Sequence, residues 1–282
     1  MIKKYYRKIY RTWLGKKLSS EEFLHILTSL LDLKKGDSVL VHASFGNLKP
    51  DFSPEKAVEI LMNVVGKEGN LLMPYYPYDS KKFLESGEVF DVNSTPTRSG
   101  ILSATFSMFP EVKKSIHPIK AMAVWGKDRD FLISDHQFSK TPYDEHSPYG
   151  KLLNINNAKS IGLGVFKNLV VHAAEDIVEC YPRYYEPIFY EGFVKDYHEN
   201  LVKITTPVHG NIKMVPSCEY LRITECPGYA EVSFKKRRFY TSNYLSAFKH
   251  IKQITEEHGL TAEKVLNKQT CIDKITSRIV RL

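Results

Sequence analysis

His172-Ala173-Ala174-Glu175 sets an imidazole and a carboxylate three residues apart, one turn apart if the segment is helical. Imidazole titrates near neutrality, and a carboxylate beside it can fix its tautomer and raise its basicity, the requirements of a general base. Isolated histidines are more often structural, so residue type alone does not decide the role of His172. His42 and Ser44 follow Ser38-Val39-Leu40-Val41, a short buried-strand pattern. The C-terminal edge of an α/β sheet is where ligands gather, although a strand-end histidine satisfied by backbone is the plainer alternative. His42, His117, His136, His146 and His172 could supply metal ligands, but no HExxH or HxH pattern occurs and the spacing suggests no tetrahedral site. No metal is expected, and no GxSxG elbow is present.

The elements that must carry these residues read as mixed α/β. Ser19-Ser20-Glu21-Glu22 has the capping-box pattern of a helix start, and Phe23, Leu27, Leu30 and Leu31 continue one apolar face. Gly36-Asp37 turns into the strand ending at His42. Ser53-Pro54-Glu55 starts a helix through Val64, and Asn70-Leu71-Leu72-Met73 is a second strand stopped by Pro74. Strand, helix, strand with short connections is the grammar of an α/β sheet. Residues 75–98 read as a long functional loop. Further on, helix is expected over 100–109, strands at 121–124 and 160–165, antiparallel strands between 190 and 213, and helix over 243–254 and again from 261.

An apolar share of 43% with 26% charged residues fits a globular chain of 282 residues. No stretch reaches the ~18 apolar residues of a membrane span, and the N-terminus does not read as a signal peptide. Cys180, Cys218, Cys226 and Cys271 form no CxxC pair, which suits reduced thiols and a cytoplasmic setting. Seven of the net +8 charges fall within residues 3–17, where no acid occurs. As a helix, residues 1–18 would set Ile2, Tyr6, Ile9 and Trp13 against a basic face. That face could dock on the body or on a partner subunit in a homo-oligomer, lie peripherally on an anionic inner-membrane surface, or contact nucleic acid. The first two are favoured, and no nucleic acid is expected. The run Lys235-Lys236-Arg237-Arg238 reads as a solvated face or hairpin before a phosphate clamp.

Read in order, several short motifs resemble the aminoglycoside 3-N-acetyltransferase (antibiotic N-acetyltransferase) family. They are Val41-His42-Ala43-Ser44-Phe45-Gly46, Leu72-Met73-Pro74, Thr95-Pro96-Thr97-Arg98-Ser99-Gly100, and Ser115-Ile116-His117-Pro118 with Ala123-Trp125-Gly126. His136, Ser147-Pro148, Leu152, Gly162-Leu163-Gly164-Val165 and His172-Ala173-Ala174-Glu175 follow at the family's intervals. Order and spacing hold over roughly 25–250. Two positions depart from the pattern: Ala121 stands where the family usually has Ser, and Leu169 where it commonly has Thr.

The pattern of elements gives an antiparallel portion and helical termini, with a C-terminal helical extension over 255–282. The resemblance implies a central mixed sheet flanked by helices, in an acyltransferase domain over 19–254. It also implies an acyl-CoA-dependent N-acyltransferase using acetyl-CoA or a related donor. His172 is then the general base, with Glu175 beside it and a distant acid placed at Glu219, with Glu225 as the alternative. His42, Ser44, Ser99 and Gly100 are assigned to the CoA, the last two through backbone amides at a helix start. Tyr75, Tyr76, His117 and His136 are assigned to the acceptor. A polycationic acceptor calls for an acidic pocket, whereas this chain is basic. The acceptor expected is therefore an amino sugar that is nucleotide- or lipid-linked, for surface glycan (polysaccharide) biosynthesis. The alternatives are antibiotic resistance by aminoglycoside acetylation, or a non-catalytic CoA- or sugar-binding protein.

Overall fold

Side chains alternate across a strand, and here the alternation sorts the apolar residues into two layers. In β1 (Ser38–Ala43), Val39 and Val41 enter one buried cluster and Leu40 the other. In β2 (Asn70–Pro74), Leu71 and Met73 join the first and Leu72 the second. The computed structural model describes residues 17–165, 170–178, 185–209 and 224–258.

Further strands are β3 (Val89–Asp91), β4 (Lys113–Lys114), β5 (Met122–Gly126), β6 (Ala158–Leu163), β7 (Tyr185–Lys195), β8 (Leu201–His209), β9 (Ala230–Phe234) and β10 (Arg237–Asn243). Seven form a mixed sheet in the order β4-β5-β2-β1-β6-β10-β9. Its centre, β2-β1-β6, is parallel, and both flanks are antiparallel. A three-stranded sheet, β3-β7-β8, stands apart. It comes close to the main body at Gly192, where an added Cβ would lie 2.7 Å from Leu84 and 2.8 Å from Pro118.

Helices cover both faces of the large sheet. Helix α1 (Ser20–His25) opens on the expected capping box, with Ser19 and Glu22 each accepting the other's backbone N–H. Helix α2 (Pro54–Val65) has Ser53 at its N-cap and Pro54 in the first turn, and ends at Gly66 with φ +70°. Its Ala57, Val58, Leu61 and Val65 are fully buried with Phe23 of α1. Within the stretch read as one loop lie α3 (Ser80–Glu85), capped by Asp79, and strand β3. Helix α4 (Ile101–Phe106) completes the first layer. On the opposite face α5 (Val170–Val178) packs along α6 (Tyr244–His258), through Val170, Ala173, Ala174, Ala247 and Ile251.

Helix α6 continues past the expected break at 254, so the boundary placed between 254 and 255 falls inside one continuous helix. The basic run is the β9–β10 hairpin, with Lys235 and Lys236 at positive φ in the turn. Lys235 pairs with Glu22, Arg237 donates to the Leu48 carbonyl, and Arg238 holds Glu231 at 2.6 Å. These three side chains hold the hairpin together and tie it to α1 and to Leu48. The basic helix expected over 1–18 lies, but for its last two residues, outside the described residues, as does the helix expected from 261. No helix among the described residues is long and apolar enough to cross a membrane.

Candidate active site

Parallel strands bring their C-terminal ends to one edge. At that edge β1 ends in His42-Ala43-Ser44, β2 runs into Tyr75-Tyr76, and β6 ends in Leu163-Gly164. Strand β5 opposes β2 with Met122 paired to Pro74, so the preceding residues 115–121 arrive there too. The Ser44 amide donates to the Leu163 carbonyl at 2.9 Å, tying β1 to β6. Gly100, at φ +110°, caps α4 beside β1, and its nearest neighbour along the missing Cβ is the Ala43 carbonyl at 4.0 Å. Ser99 accepts the Tyr76 amide at 3.3 Å. His42, Ser44, Tyr75, Tyr76, Ser99, Gly100 and His117, dispersed over 76 positions of chain, therefore meet at one edge.

Pleat parity then divides them. Tyr75 continues the Met73 face and is 5% exposed, with its hydroxyl donating to the Thr95 carbonyl at 2.7 Å. It is a core residue and offers no face to an acceptor, contrary to the sequence expectation. Tyr76 falls on the other face and is half-buried, with the Lys120 ammonium 4.7 Å from its ring centroid. Burial pushes its phenol up to about 12. His42 shares the Leu40 face, which is the face covered by α5, and is buried.

His136 also belongs to the frame. Its ring is completely buried, and Nδ1 lies 2.8 Å from the Ser115 hydroxyl. The same hydroxyl accepts the Met122 amide at 3.0 Å, so its own proton goes to Nδ1, and Nε2–H donates to the Pro142 carbonyl at 3.2 Å. Both nitrogens are used, and no acceptor contact is left to it. Burial holds its pKa down to about 3. His117 stacks on it with ring centroids 4.5 Å apart. Its Nδ1 accepts the amides of Ile119 and Lys120 at 3.3 and 3.1 Å, which puts the proton on Nε2. That Nε2 is buried without a partner among the described residues. Burial first, then His136 and Lys120, keep this ring neutral, well below the usual histidine range.

His172 stands on α5, half-buried, with its ring 5.2 Å from that of Tyr143 at 32°. Tyr143 in turn packs edge-on against Tyr149 at 4.7 Å. The Tyr143 amide donates to the Asp176 carboxylate at 3.0 Å, and Asp176 is 7% exposed. Neither Tyr143 nor Asp176 stands out in the sequence as a neighbour of His172. The i,i+4 relation of Asp176 to His172 was a legible signal for one of them. Glu175 lies on α5, but its side chain is outside the described residues, and so is Glu219. Among the described residues no group of His, Cys, Asp or Glu could hold a metal ion.

A cleft of about 360 Å³ opens beside this edge, lined by Asp79, Ser80, Lys82, Ile119, Lys120 and Pro142 among others. A larger hollow of about 510 Å³, lined by Met62, Gly66, Phe109 and Trp125, sits at the opposite edge, where Gly126 pairs with Asn70. Lys120, whose ammonium lies over the Tyr76 ring, links the smaller cleft to the edge where the candidate residues meet.

This arrangement has known counterparts. The family model for aminoglycoside 3-N-acetyltransferase matches residues 40–275, and the chain belongs to that family. It is 31% identical over 141 residues to the SPbeta prophage-derived aminoglycoside N(3')-acetyltransferase-like protein YokD of Bacillus subtilis (strain 168), covering 43% of this chain and 52% of YokD. It is 32% identical over 152 residues to aminoglycoside N(3)-acetyltransferase IV of Salmonella sp, covering 51% of this chain and 54% of that protein. The chain thus spans about half the length of the curated relatives it matches. The solved structure of AAC-IIIb in a binary complex with CoASH has a similar fold, with a TM-score of 0.73 at 15% identity, over 86% of this chain and 97% of that one.

Proposed function

We propose that the chain is an acetyl-CoA-dependent N-acetyltransferase acting on an amino group of an aminoglycoside-type amino sugar, with His172 as general base. The observation that carries the reading is the position of His172. It is half-buried in an H-x-x-E sequence within the family match, on the same face of the sheet as His42 and Tyr76. The amine nitrogen attacks the thioester carbonyl while His172 takes its proton. The tetrahedral intermediate then expels CoA thiolate, which receives a proton, leaving the amide and CoASH. Holding donor and acceptor together supplies much of the rate, and the base contributes roughly 10²–10⁴-fold.

We assign His42, Ser44, Ser99 and Gly100 to the CoA side, and Tyr76 with the cleft beside Lys120 to the acceptor side. Acetyl-CoA as donor is supported by the CoASH complex of a protein of similar fold, and a cytoplasmic setting suits that donor. An aminoglycoside-type acceptor is supported by the names of both curated relatives. These names favour it over the nucleotide- or lipid-linked acceptor expected from charge. One observation keeps the second reading open: Lys81, Lys82 and Lys120 outnumber Asp79 and Glu85 around the cleft, which suits an acceptor bearing an anionic group.

Release of CoA from acetyl-CoA, followed with a thiol-reactive dye, tests the reading across aminoglycosides and nucleotide-linked amino sugars. Turnover of an aminoglycoside supports the first acceptor, and turnover confined to nucleotide sugars supports the second. No acetyl-CoA binding by calorimetry would remove the enzyme reading altogether.

A further inference from the structure

His172 is joined in a circuit of contacts with a neighbouring loop and with its own helix. Its ring lies 5.2 Å from the Tyr143 ring at 32°, close to a tilted stack. Tyr143 is 2% exposed and is itself wedged edge-on against the fully buried Tyr149. Its backbone N–H donates at 3.0 Å to Asp176, a buried carboxylate one helical turn beyond His172 on α5. A second anchor comes from Asp144, whose carboxylate accepts the amides of Lys140 at 2.7 Å, Thr141 at 3.3 Å and His146 at 3.0 Å. The loop carrying Tyr143 is therefore rigid on its own account and pinned to the helix that carries the base. Tyr143 fixes one ring face of His172, while Asp176 fixes Tyr143.

We propose that Tyr143 and Asp176 are positioning residues that together lock the rotamer of His172 for proton abstraction. The circuit is His172, one turn of α5, Asp176, the Tyr143 amide, the Tyr143 ring and back to the imidazole. Opening any link leaves the base present but free to turn away. This rests on His172 being the base. A near-attack geometry is lost with displacements of about 1 Å, at a cost near 10²-fold in rate.

Three variants of the full-length protein test it: Tyr143→Leu, Tyr143→Phe and Asp176→Ala, with steady-state kinetics and long-range ¹H–¹⁵N spectra of the His172 ring. Tyr143→Leu and Asp176→Ala should each lower kcat roughly tenfold to a hundredfold, with acceptor KM changed less than about twofold because no substrate contact is removed. Tyr143→Phe keeps both the ring and the amide and should recover most of the lost kcat. The His172 ring signals should shift or broaden in the first two and resemble wild type in the third. Unchanged kcat and ring signals in both deletions would overturn the proposal, as would a loss confined to KM. If Asp176→Ala does not fold, Asp176→Asn, which retains an acceptor for the Tyr143 amide, must give an intermediate kcat. An inactive wild type would sink the enzyme reading, yet the ring spectra would still decide whether the clamp exists.

Discussion

The stacked histidines behind the site make the fold sensitive to acid, and the structure sets the size of the effect. His136 cannot be protonated without losing either the Ser115 hydroxyl at Nδ1 or its buried setting, and its pKa is held at about 3. In the unfolded chain the same ring titrates near ~6.5. Between these values the unfolded state binds one more proton than the folded state, so stability rises with pH at about 1.4 kcal/mol per unit. The contribution is complete above the unfolded pKa and is lost as pH falls below it. From about pH 7.5 to about pH 5, the loss integrates to ~2 kcal/mol for one such ring. His117, also lowered and fully buried, adds a second loss of the same sign. Urea unfolding across this window should show the unfolding free energy falling by ~2 kcal/mol from His136 alone, with His117 adding to the fall. His136→Gln, which can still donate and accept, should remove the ~2 kcal/mol share of His136 from that pH dependence whatever its own stability. An identical pH slope in wild type and variant would refute the argument.

Other substitutions test the frame around the site. Gly162, paired in register with His42, has no room for a side chain, because an added Cβ would lie 1.9 Å from the Tyr240 ring. Gly162→Ala should cost about 1–3 kcal/mol in chemical denaturation, and Tyr240→Leu should relieve part of it. At the opposite edge, buried Asn70 donates to Ser38 and Asp128 at 2.8 and 2.9 Å and accepts the Asp128 amide at 2.8 Å. Asn70→Ala should therefore destabilise by ~2 kcal/mol or more in the same assay, with kcat per folded molecule retained. Ser19→Ala removes one half of the capping box and should cost about 1 kcal/mol.

Local signals carried much of the fold. Ser19 with Glu22, Ser53 with Pro54, and the Val39/Leu40/Val41 alternation each state a physical requirement that the structure meets. What local signals could not show was pairing over long separations. Strand β3 consists of three residues whose only reason to be a strand is β7, about a hundred positions later. Helix α3 is six residues long, too short for periodicity to register.

The site divides in the same way. The strand-end position of His42 and Ser44 is legible because the buried run Val39-Leu40-Val41 precedes them. Tyr75 and Tyr76 were treated alike, although parity sends adjacent residues to opposite faces, one into the core and one toward Tyr149. His136 looked like a ligand-binding residue because burial and the partners at Ser115 and Pro142 depend on tertiary structure. Asp176 was overshadowed by Glu175, which belongs to the motif.

The central claim is that His172 abstracts the proton from the acceptor amine. The most direct measurement is CoA release with acetyl-CoA and an aminoglycoside acceptor, comparing wild type with His172→Ala, beside calorimetric acetyl-CoA binding for both proteins. The account predicts a fall in turnover of roughly 10²–10⁴-fold with donor affinity unchanged. Retention of wild-type turnover by the folded variant would contradict it and move the search for the base elsewhere along this edge.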